Sequence, residues 1–225
     1  MKVAFIKVVG TQPPVQSEER GLTTPASETA GGDREARRLA ALTIEEMDDA
    51  QRDLYGRITG GPRGTGPALF DLVDDHGRLT GPFDAMLRNP RLGDALQELG
   101  AAVRYRTGLT DSGRELAILA VAHHLDSAFE IHAHEAVARS VGVREADLGA
   151  VREGRHEDLT DGTDRVIAAT AHALVTAEDL TAEEYRRAVE ILGEEGMFEL
   201  STLVGYYRLL ALQLRLFRVP APGTR

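Results

Sequence analysis

From about residue 37 onward, the sequence repeats one pattern, a helix-capping signal followed by apolar residues at helical spacing. Capping-box tetrads, with Ser or Thr three positions before Glu, stand at 43–46, 127–130 and 181–184. Asn89-Pro90 and Thr110-Asp111 start two more helices, and Gly142 ends one. Helical spacing also predicts helices over about 144–153, 163–177 and 197–217. Because no strand pattern interrupts this series, we predict an all-α helical bundle.

The N-terminal part of the chain has a different composition. Residues 1–10 have the β-prone side chains of a short strand, and residues 11–36 are rich in Pro, Gly, Ser, Thr and Glu. We therefore predict an arm or linker over residues 1–36 and one helical domain over residues 37–222. Within that domain, the glycine-rich segment 60–67 is predicted to be a loop, since it lacks the Lys of a phosphate-binding loop.

Composition and charge exclude several classes of function. The net charge is −10 and the arginines are spread among acidic residues, which argues against nucleic-acid binding. Lys2 and Lys7 are the lysines of the chain, so the helical domain has none for a Schiff base. No apolar run reaches the ~18 residues that span a bilayer, and residues 1–10 are a poor signal peptide. With no Cys for disulfides, we expect a cytoplasmic protein that does not bind membranes.

The segment 114–142 (RELAILAVAHHLDSAFEIHAHEAVARSVG) contains the first candidate for chemistry. Glu115 shares a helix face with Ile118, Leu119 and Ala122, and residues 116–122 are apolar all round, which indicates a buried helix. A carboxyl group placed there should have a raised pKa, as a general acid or base near neutral pH requires. The alternative is a structural Glu115 that pairs with Arg104 or Arg114.

His134 and Glu130 are the second and third candidates for catalysis. Apolar residues at helical spacings around His134 predict that its side chain faces the core, where it is either a proton-transfer group or a satisfied core histidine. Glu130 lies one turn earlier on the same face. It either bonds the backbone as the last residue of the 127–130 capping box, or orients His134 as an ionised carboxylate.

A metal site is not expected, although histidines are frequent in this segment. His132 and His134 are about 200° apart on a helix, so one helix cannot direct both at one ion. A site built from His123, Glu130 and His134 requires two helices to meet, and the HExxH type of spacing is absent. We therefore predict no metal and no cofactor.

Arginines are the candidates for binding a carboxylate substrate, because their guanidinium group pairs with a carboxylate in bidentate fashion. Arg63, in the predicted loop, and Arg104 and Arg106, near the end of a predicted helix, are available, with surface arginines as the alternative. Tyr206 and Tyr207 lie in the last apolar helix, where either can present its hydroxyl to a cavity or be a core residue, and we place Tyr206 at the substrate.

Several segments in order resemble the carboxymuconolactone decarboxylase family, a branch of the alkylhydroperoxidase D-like superfamily. The similarity runs from about residue 42 to 222, through LTIEEMDDAQRDLYGRITGGPRG, LTGPFDAMLRNPRLGDALQELGAAVRYRTGL, RELAILAVAHH, FEIHAHEAVARSVGV and FELSTLVGYYRLLALQLRLFRVPAP. The resemblance implies an all-α fold that assembles as a trimer or hexamer, with the active site in a pocket near subunit contacts.

The resemblance also assigns site positions. Glu115 and His134 fall at the Glu and His of peroxidase members, while Ser127 and Glu130 replace the two cysteines, so thiol peroxidase activity is excluded. Decarboxylase-type members have Glu at the second of those positions, as here. They usually have Trp where Ile131 stands, Gly for Asp126 and Arg for His123. On this basis we place His123 and Ser127 at the substrate.

These residues predict a lyase that needs no cofactor and decarboxylates a carboxylate-bearing lactone or a related enolisable acid. Arginine holds the carboxylate, and His134, tuned by Glu115 or Glu130, protonates the enolate. Three alternatives remain open at this point. They are a dehydratase, isomerase or cyclase that uses the same residues, a catalytically silent oligomeric binding protein, and a metal-dependent variant.

Overall fold

A computed structural model describes residues 37–61 and 71–221, and this part of the chain is all-α. Its extended pairing is a single isolated bridge between Val73 and Leu79. The described residues form eight α-helices and one 3₁₀ helix. In chain order they are α1 (Asp49–Gly60), α2 (Phe83–Met86), α3 (Pro90–Tyr105), α4 (Asp111–His124), α5 (Ala128–Ser140), α6 (Glu145–Arg152), the 3₁₀ helix (His156–Asp158), α7 (Gly162–Thr176) and α8 (Ala182–Phe217).

Helix α4 lies at the centre of the bundle, as its composition predicts. Every residue from Leu116 to Ala122 is at most 2% exposed, and α4 contacts α5, α6, α7 and α8. Burying each large aliphatic side chain stabilises the fold by about 1.5–3 kcal/mol. A helix that is apolar on all sides therefore gains most where other helices surround it, and this position places Glu115 in the core.

The helix-start signals were confirmed at three positions. The side chain of Asn89 accepts from the Leu92 amide, and that of Thr110 accepts from the Gly113 amide. Thr181 and Glu184 form the predicted capping box. The predicted end of α5 is also confirmed, since Gly142 follows the helix with φ +90°.

Two predicted capping boxes were wrong. Residues 44–46 form a turn, and α1 begins only at Asp49, where Asp48 and Gln51 make the capping box instead. Ser127 does precede α5, but its side chain makes no capping hydrogen bond, and Glu130 turns towards His134. At 43–46 the Glu46 carboxylate does accept from the Thr43 amide, but the segment forms a turn and not a helix. At 127–130 the Glu130 carboxylate has His134 within reach, and a local motif does not show which partner is used.

The helix predicted to start at the 181–184 box and the helix predicted over 197–217 form one long helix with an interruption. Helix α8 starts at Ala182, after the predicted box, and continues through residue 197 to Phe217, while Gly193 breaks its regular geometry with φ +68° and ψ 175°. Glycine adopts this left-handed φ without the steric cost that a Cβ brings. The predicted strand at 1–10, the arm at 11–36 and most of the loop at 60–67 lie outside the described residues. No helix in the described ranges is long and apolar enough to cross a membrane.

Candidate active site

The structure brings Glu115 and His134 into direct contact, although they are 19 residues apart and lie on different helices. Oε2 of Glu115 on α4 is 2.6 Å from Nδ1 of His134 on α5. Glu115 is 0% exposed and His134 is 3% exposed. A hydrogen bond this short between an acidic and a basic group, out of contact with water, is strong and fixes the plane of the imidazole ring.

Glu130 contacts the other nitrogen of the same ring. Its Oε2 lies 3.2 Å from Nε2 of His134, one helical turn further along α5. The imidazole is therefore held between two buried carboxylates. Because carboxylates only accept hydrogen bonds, this arrangement favours the imidazolium form, in which both ring nitrogens donate.

Two arginines balance the carboxylates. Nη2 of Arg104 is 3.9 Å and Nε of Arg114 is 3.6 Å from Oε1 of Glu115, too far for hydrogen bonds but close enough for ion pairing. The pairing that the structural alternative predicted for Glu115 is thus present, in addition to its bond with His134. A cluster of two carboxylates, one imidazolium and two guanidinium groups tolerates burial because each charge has a nearby opposite charge.

The expected rise in the pKa of the Glu115 carboxyl was wrong in direction. Burial acts to raise this pKa, but the charge and hydrogen bond of His134, followed by Arg104 and Arg114, lower it below its usual range. For His134, burial acts to lower the pKa, but the charge of Glu115 and the bonds to Glu115 and Glu130 raise it. The group prepared to donate a proton near neutral pH is therefore His134, while Glu115 stays ionised.

A small cavity of about 20 Å³ adjoins this cluster. It is lined by Pro82, Phe83, Arg104, Phe129, Glu130, Ala133, His134, Tyr206, Tyr207 and Leu210. The volume suffices for roughly one water molecule and is far below the roughly 300–1,000 Å³ of small-molecule sites. Nε of Arg104 and Oε1 of Glu130 are buried without a hydrogen-bond partner. Polar atoms of this kind cost about 1–3 kcal/mol each when left unpaired, so a bound polar group would relieve them.

Tyr207 is the tyrosine that meets His134, a choice between Tyr206 and Tyr207 that sequence reasoning left open. Its ring meets the His134 ring edge to face, with 5.1 Å between ring centroids, and Tyr206 packs against Tyr207 in the same manner at 5.4 Å. Burial raises the pKa of the Tyr207 hydroxyl well above its usual value, so it stays protonated. Adjacent tyrosines in an apolar helix carry no sequence signal that tells which of them reaches a residue on another helix.

The predicted substrate-binding residues divide into two groups. Arg104 and Tyr206 line the cavity beside His134. Arg106 does not, since it lies past the end of α3, is exposed and pairs with Glu98 at 3.5 Å. His123 is half-buried outside the cavity lining, and burial lowers its pKa.

Two other predicted residues also lie away from the cavity lining. Ser127 lines a neighbouring pocket together with Arg215 and Arg218, and its Oγ is buried without a hydrogen-bond partner. Arg63 lies outside the described residues. Among the residues that the structure does describe, no group of three His, Cys, Asp or Glu side chains could hold a metal ion.

The His134–Glu115 pair predicts a specific dependence of stability on pH. The raised pKa of His134 gives stability that is fully present below its unfolded value of 6.5 and is lost as the pH rises through the folded value. The lowered pKa of Glu115 gives stability that is present above 4.5 and is lost as the pH falls through the folded value. We expect urea unfolding of a His134→Gln variant to lack the decline above pH 6.5 that the wild type shows. If the free energy of unfolding depends on pH in the same way for both proteins, this assignment is wrong.

Gly81 permits the close approach of the Phe129 ring, which lines the cavity. Gly81 has φ +56°, and a Cβ at this position would lie 2.3 Å from Cζ of Phe129. We expect Gly81→Ala to lower the free energy of unfolding by about 2–4 kcal/mol, through backbone strain plus overpacking. Gly154→Ala is the matched control, because Gly154 has φ +72° with no atom near a Cβ, and it should cost only about 1 kcal/mol. If urea unfolding gives the same loss of free energy of unfolding for both variants, the Phe129 ring moves aside without cost and the close approach does not matter.

The helical segment that contains this cluster matches a known protein family. Residues 90–179 match the model of the carboxymuconolactone decarboxylase family. This segment of the chain is similar to that family. It includes Arg104, Glu115, Glu130 and His134, whereas Tyr206 and Tyr207 on α8 lie beyond the matched residues. Among curated proteins, none matches the chain.

Several solved structures share the fold of this chain over most of its length. An alkylhydroperoxidase AhpD core protein from Ralstonia eutropha JMP134, described as peroxidase-related, is 13% identical with a TM-score of 0.66, covering 83% of this chain and 93% of its own. The debrominase Bmp8, in complex with 2,3,4-tribromopyrrole, is 14% identical with a TM-score of 0.65, covering 85% and 95%. A peroxidase-related protein from Silicibacter sp. TM1040 is 10% identical with a TM-score of 0.66, covering 87% and 96%. The predicted all-α, alkylhydroperoxidase D-like fold is confirmed.

Proposed function

We propose that this protein is a lyase that needs no cofactor and protonates an enolate formed by decarboxylation of a lactone acid or related enolisable acid. The observation that carries this proposal is the imidazole of His134 held between the carboxylates of Glu115 and Glu130. The two carboxylates raise the pKa of such a ring, which favours its charged form, and hold the ring in one orientation. An oriented acid with a pKa near or above neutral pH is what protonation of a carbanion requires.

The proposed reaction assigns one task to each polar residue. Arg104 lines the cavity and has a buried Nε without a hydrogen-bond partner, and it would bind the substrate carboxylate. The C–C bond to the carboxylate breaks, CO₂ leaves, and the bonding electrons form an enolate. His134 then donates its proton to the carbon, and the neutral ring regains a proton from solvent by way of Glu130. Glu115 does not line the cavity and acts as a positioning residue that holds the ring.

A substrate requires more space than the described cavity offers. With about 20 Å³ available, binding must displace side chains of the lining. Phe83 and Phe129 are large apolar members of the lining, and we propose that they move aside when the substrate binds. The proposed enzyme therefore closes around its substrate, which also excludes water from the enolate.

The predicted homo-oligomer belongs to the same proposal. Helix α8 exposes large apolar side chains, with Phe198 73% exposed, Leu212 60% and Leu216 49%. Exposed apolar residues in series on one helix support burial against a second copy of the chain. Trimer and hexamer remain the two predicted assemblies.

A second candidate function is a catalytically silent binding protein. Two observations favour it, namely the water-sized cavity at His134 and the two arginines beside Glu115. This candidate predicts that no substrate turns over and that His134 serves stability alone. A dehydratase, isomerase or cyclase would use the same residues and is separated from the lyase by its products.

The test is a screen of carboxylated γ-lactones and β-keto or vinylogous acids in D₂O. We expect release of CO₂ with one deuterium from solvent in the product for the wild type and for His132→Gln, because His132 is exposed on the same helix. Deuterium incorporation without CO₂ indicates an isomerase. Absence of both from every acid in the screen argues for the binding protein.

A further inference from the structure

A second cavity lies apart from the His134 cluster, between the 3₁₀ helix, α7 and the start of α8. Its volume is about 920 Å³, within the range of small-molecule sites, and its lining shares no residue with the cavity at His134. Several short side chains line the cavity along α7 and just past its end, namely Ala169, Ala173, Thr176 and Ala177. A lining of this kind presents a broad apolar wall.

Two imidazoles stand together in the lining of this cavity. His156 and His172 have ring centroids 4.6 Å apart. His156 is only 6% exposed, and neither of its ring nitrogens has a hydrogen-bond partner in the described part of the chain. Burial, followed by the nearby His172, lowers the pKa of His156 to about 4, so its ring is neutral at physiological pH. Burial also lowers the pKa of His172.

A neutral imidazole offers one N–H donor and one nitrogen acceptor. Two buried nitrogens without partners cost about 1–3 kcal/mol each, and a ligand that pairs with them recovers that loss. A hydroxyl group suits either nitrogen of the ring, because it can donate to the acceptor nitrogen or accept from the N–H, and it would pair with one of the two. The two rings also present flat faces and edges against which an aromatic ring can stack.

The charges at the cavity do not favour an ionised ligand. The guanidinium of Arg165 is engaged with the Leu159 carbonyl, and Glu184 is engaged in the cap at Thr181. The remaining charged side chains of the lining are Arg187, Glu157 and Asp179, with a net charge of −1. A carboxylate would therefore meet no excess of positive charge to offset its loss of hydration.

We propose that this second cavity binds an uncharged aromatic molecule with a hydroxyl group, of the phenol class, whose hydroxyl bonds His156 while its ring lies on the apolar wall of α7. The site is independent of the proposed lyase reaction and of the residues that would carry it. The protein would then have a second ligand. Binding of that ligand in the second cavity and conversion of substrate at His134 would be separate properties.

Calorimetric titration of the full chain with phenol tests the proposal. We expect saturable binding with a Kd of about 0.1–1 mM, as befits a ligand of so few atoms, and binding of benzoate at least about tenfold weaker. His156→Phe keeps a ring and removes both nitrogens, so it should weaken phenol binding about tenfold or more. Ala173→Phe fills the cavity and should abolish binding, whereas the exposed control His132→Phe should leave it unchanged.

Three results would overturn the proposal. The first is absence of saturable phenol binding to the wild type. The second is benzoate binding as tight as phenol binding, which would show that the site selects anions. The third is undiminished phenol binding by both His156→Phe and Ala173→Phe, each shown by circular dichroism to be folded, which would place the ligand elsewhere.

Discussion

Replacing His134 by Gln is expected to lower kcat about 10²–10⁴-fold on any acid that the wild type decarboxylates, the range that a general acid contributes. Glutamine retains a polar side chain of similar reach, but it cannot carry the proton that the enolate receives. KM should change little, because Arg104 and the apolar lining remain in place. A large fall in kcat at a nearly constant KM separates loss of proton transfer from loss of substrate binding.

The matched control for this prediction is His132→Gln. His132 lies two residues away on α5 and is exposed, so its replacement should leave kcat unchanged. Steady-state rates of CO₂ release, measured beside the thermal melts of all three proteins, provide the comparison. If a folded His134→Gln variant retains the wild-type kcat, His134 is a structural residue and the proposed mechanism is wrong.

Replacing Glu115 by Ala is expected to lower the free energy of unfolding by about 3–5 kcal/mol, the largest stability effect we predict. Glu115 is 0% exposed and is the carboxylate that faces His134, Arg104 and Arg114 together. Without it, the guanidinium groups of Arg104 and Arg114 and the ring of His134 remain near one another in the core. Glu130 is then the carboxylate left in contact with His134. A cavity is left as well, which adds to the loss.

Urea unfolding monitored by circular dichroism measures this effect. The control is Glu98→Ala, since Glu98 pairs with Arg106 at 3.5 Å while both side chains are more than half exposed. Exposed ion pairs contribute about 0–1 kcal/mol, so this variant should be close to the wild type. In a double-mutant cycle with His134→Phe, we expect the two losses to be strongly non-additive. Additive losses would mean that the short contact between Glu115 and His134 contributes nothing.

The fold was largely predictable because its signals are local. The apolar run at 116–122 predicts a helix surrounded by others, and the caps at Asn89, Thr110 and Thr181 start helices where the structure has them. These signals act within a few residues, through hydrogen bonds that a short segment makes with itself. At 127–130, where His134 also lies within reach of Glu130, and at 43–46, where the segment forms a turn, the same local reasoning placed the cap wrongly.

The candidate site was predictable in its residue types but not in its connections. The inward positions of Glu115 and His134 follow from helical spacing, and the structure adds that the two side chains touch. Spacing did not separate Arg104, which lines the cavity, from Arg106, which lies past the end of α3 and is exposed. It also did not select Tyr207 as the tyrosine that meets His134.

The sequence by itself determined the fold class, the burial of α4 and the absence of thiol chemistry, because periodicity and composition are properties of the chain alone. Only the tertiary structure decided that Glu130 bonds His134 rather than capping α5, and that the pKa of Glu115 falls rather than rises. The physical reason is the same in both cases. Charges on different helices interact over a few ångströms, and those distances are set by how the helices pack, which no spacing within one helix encodes.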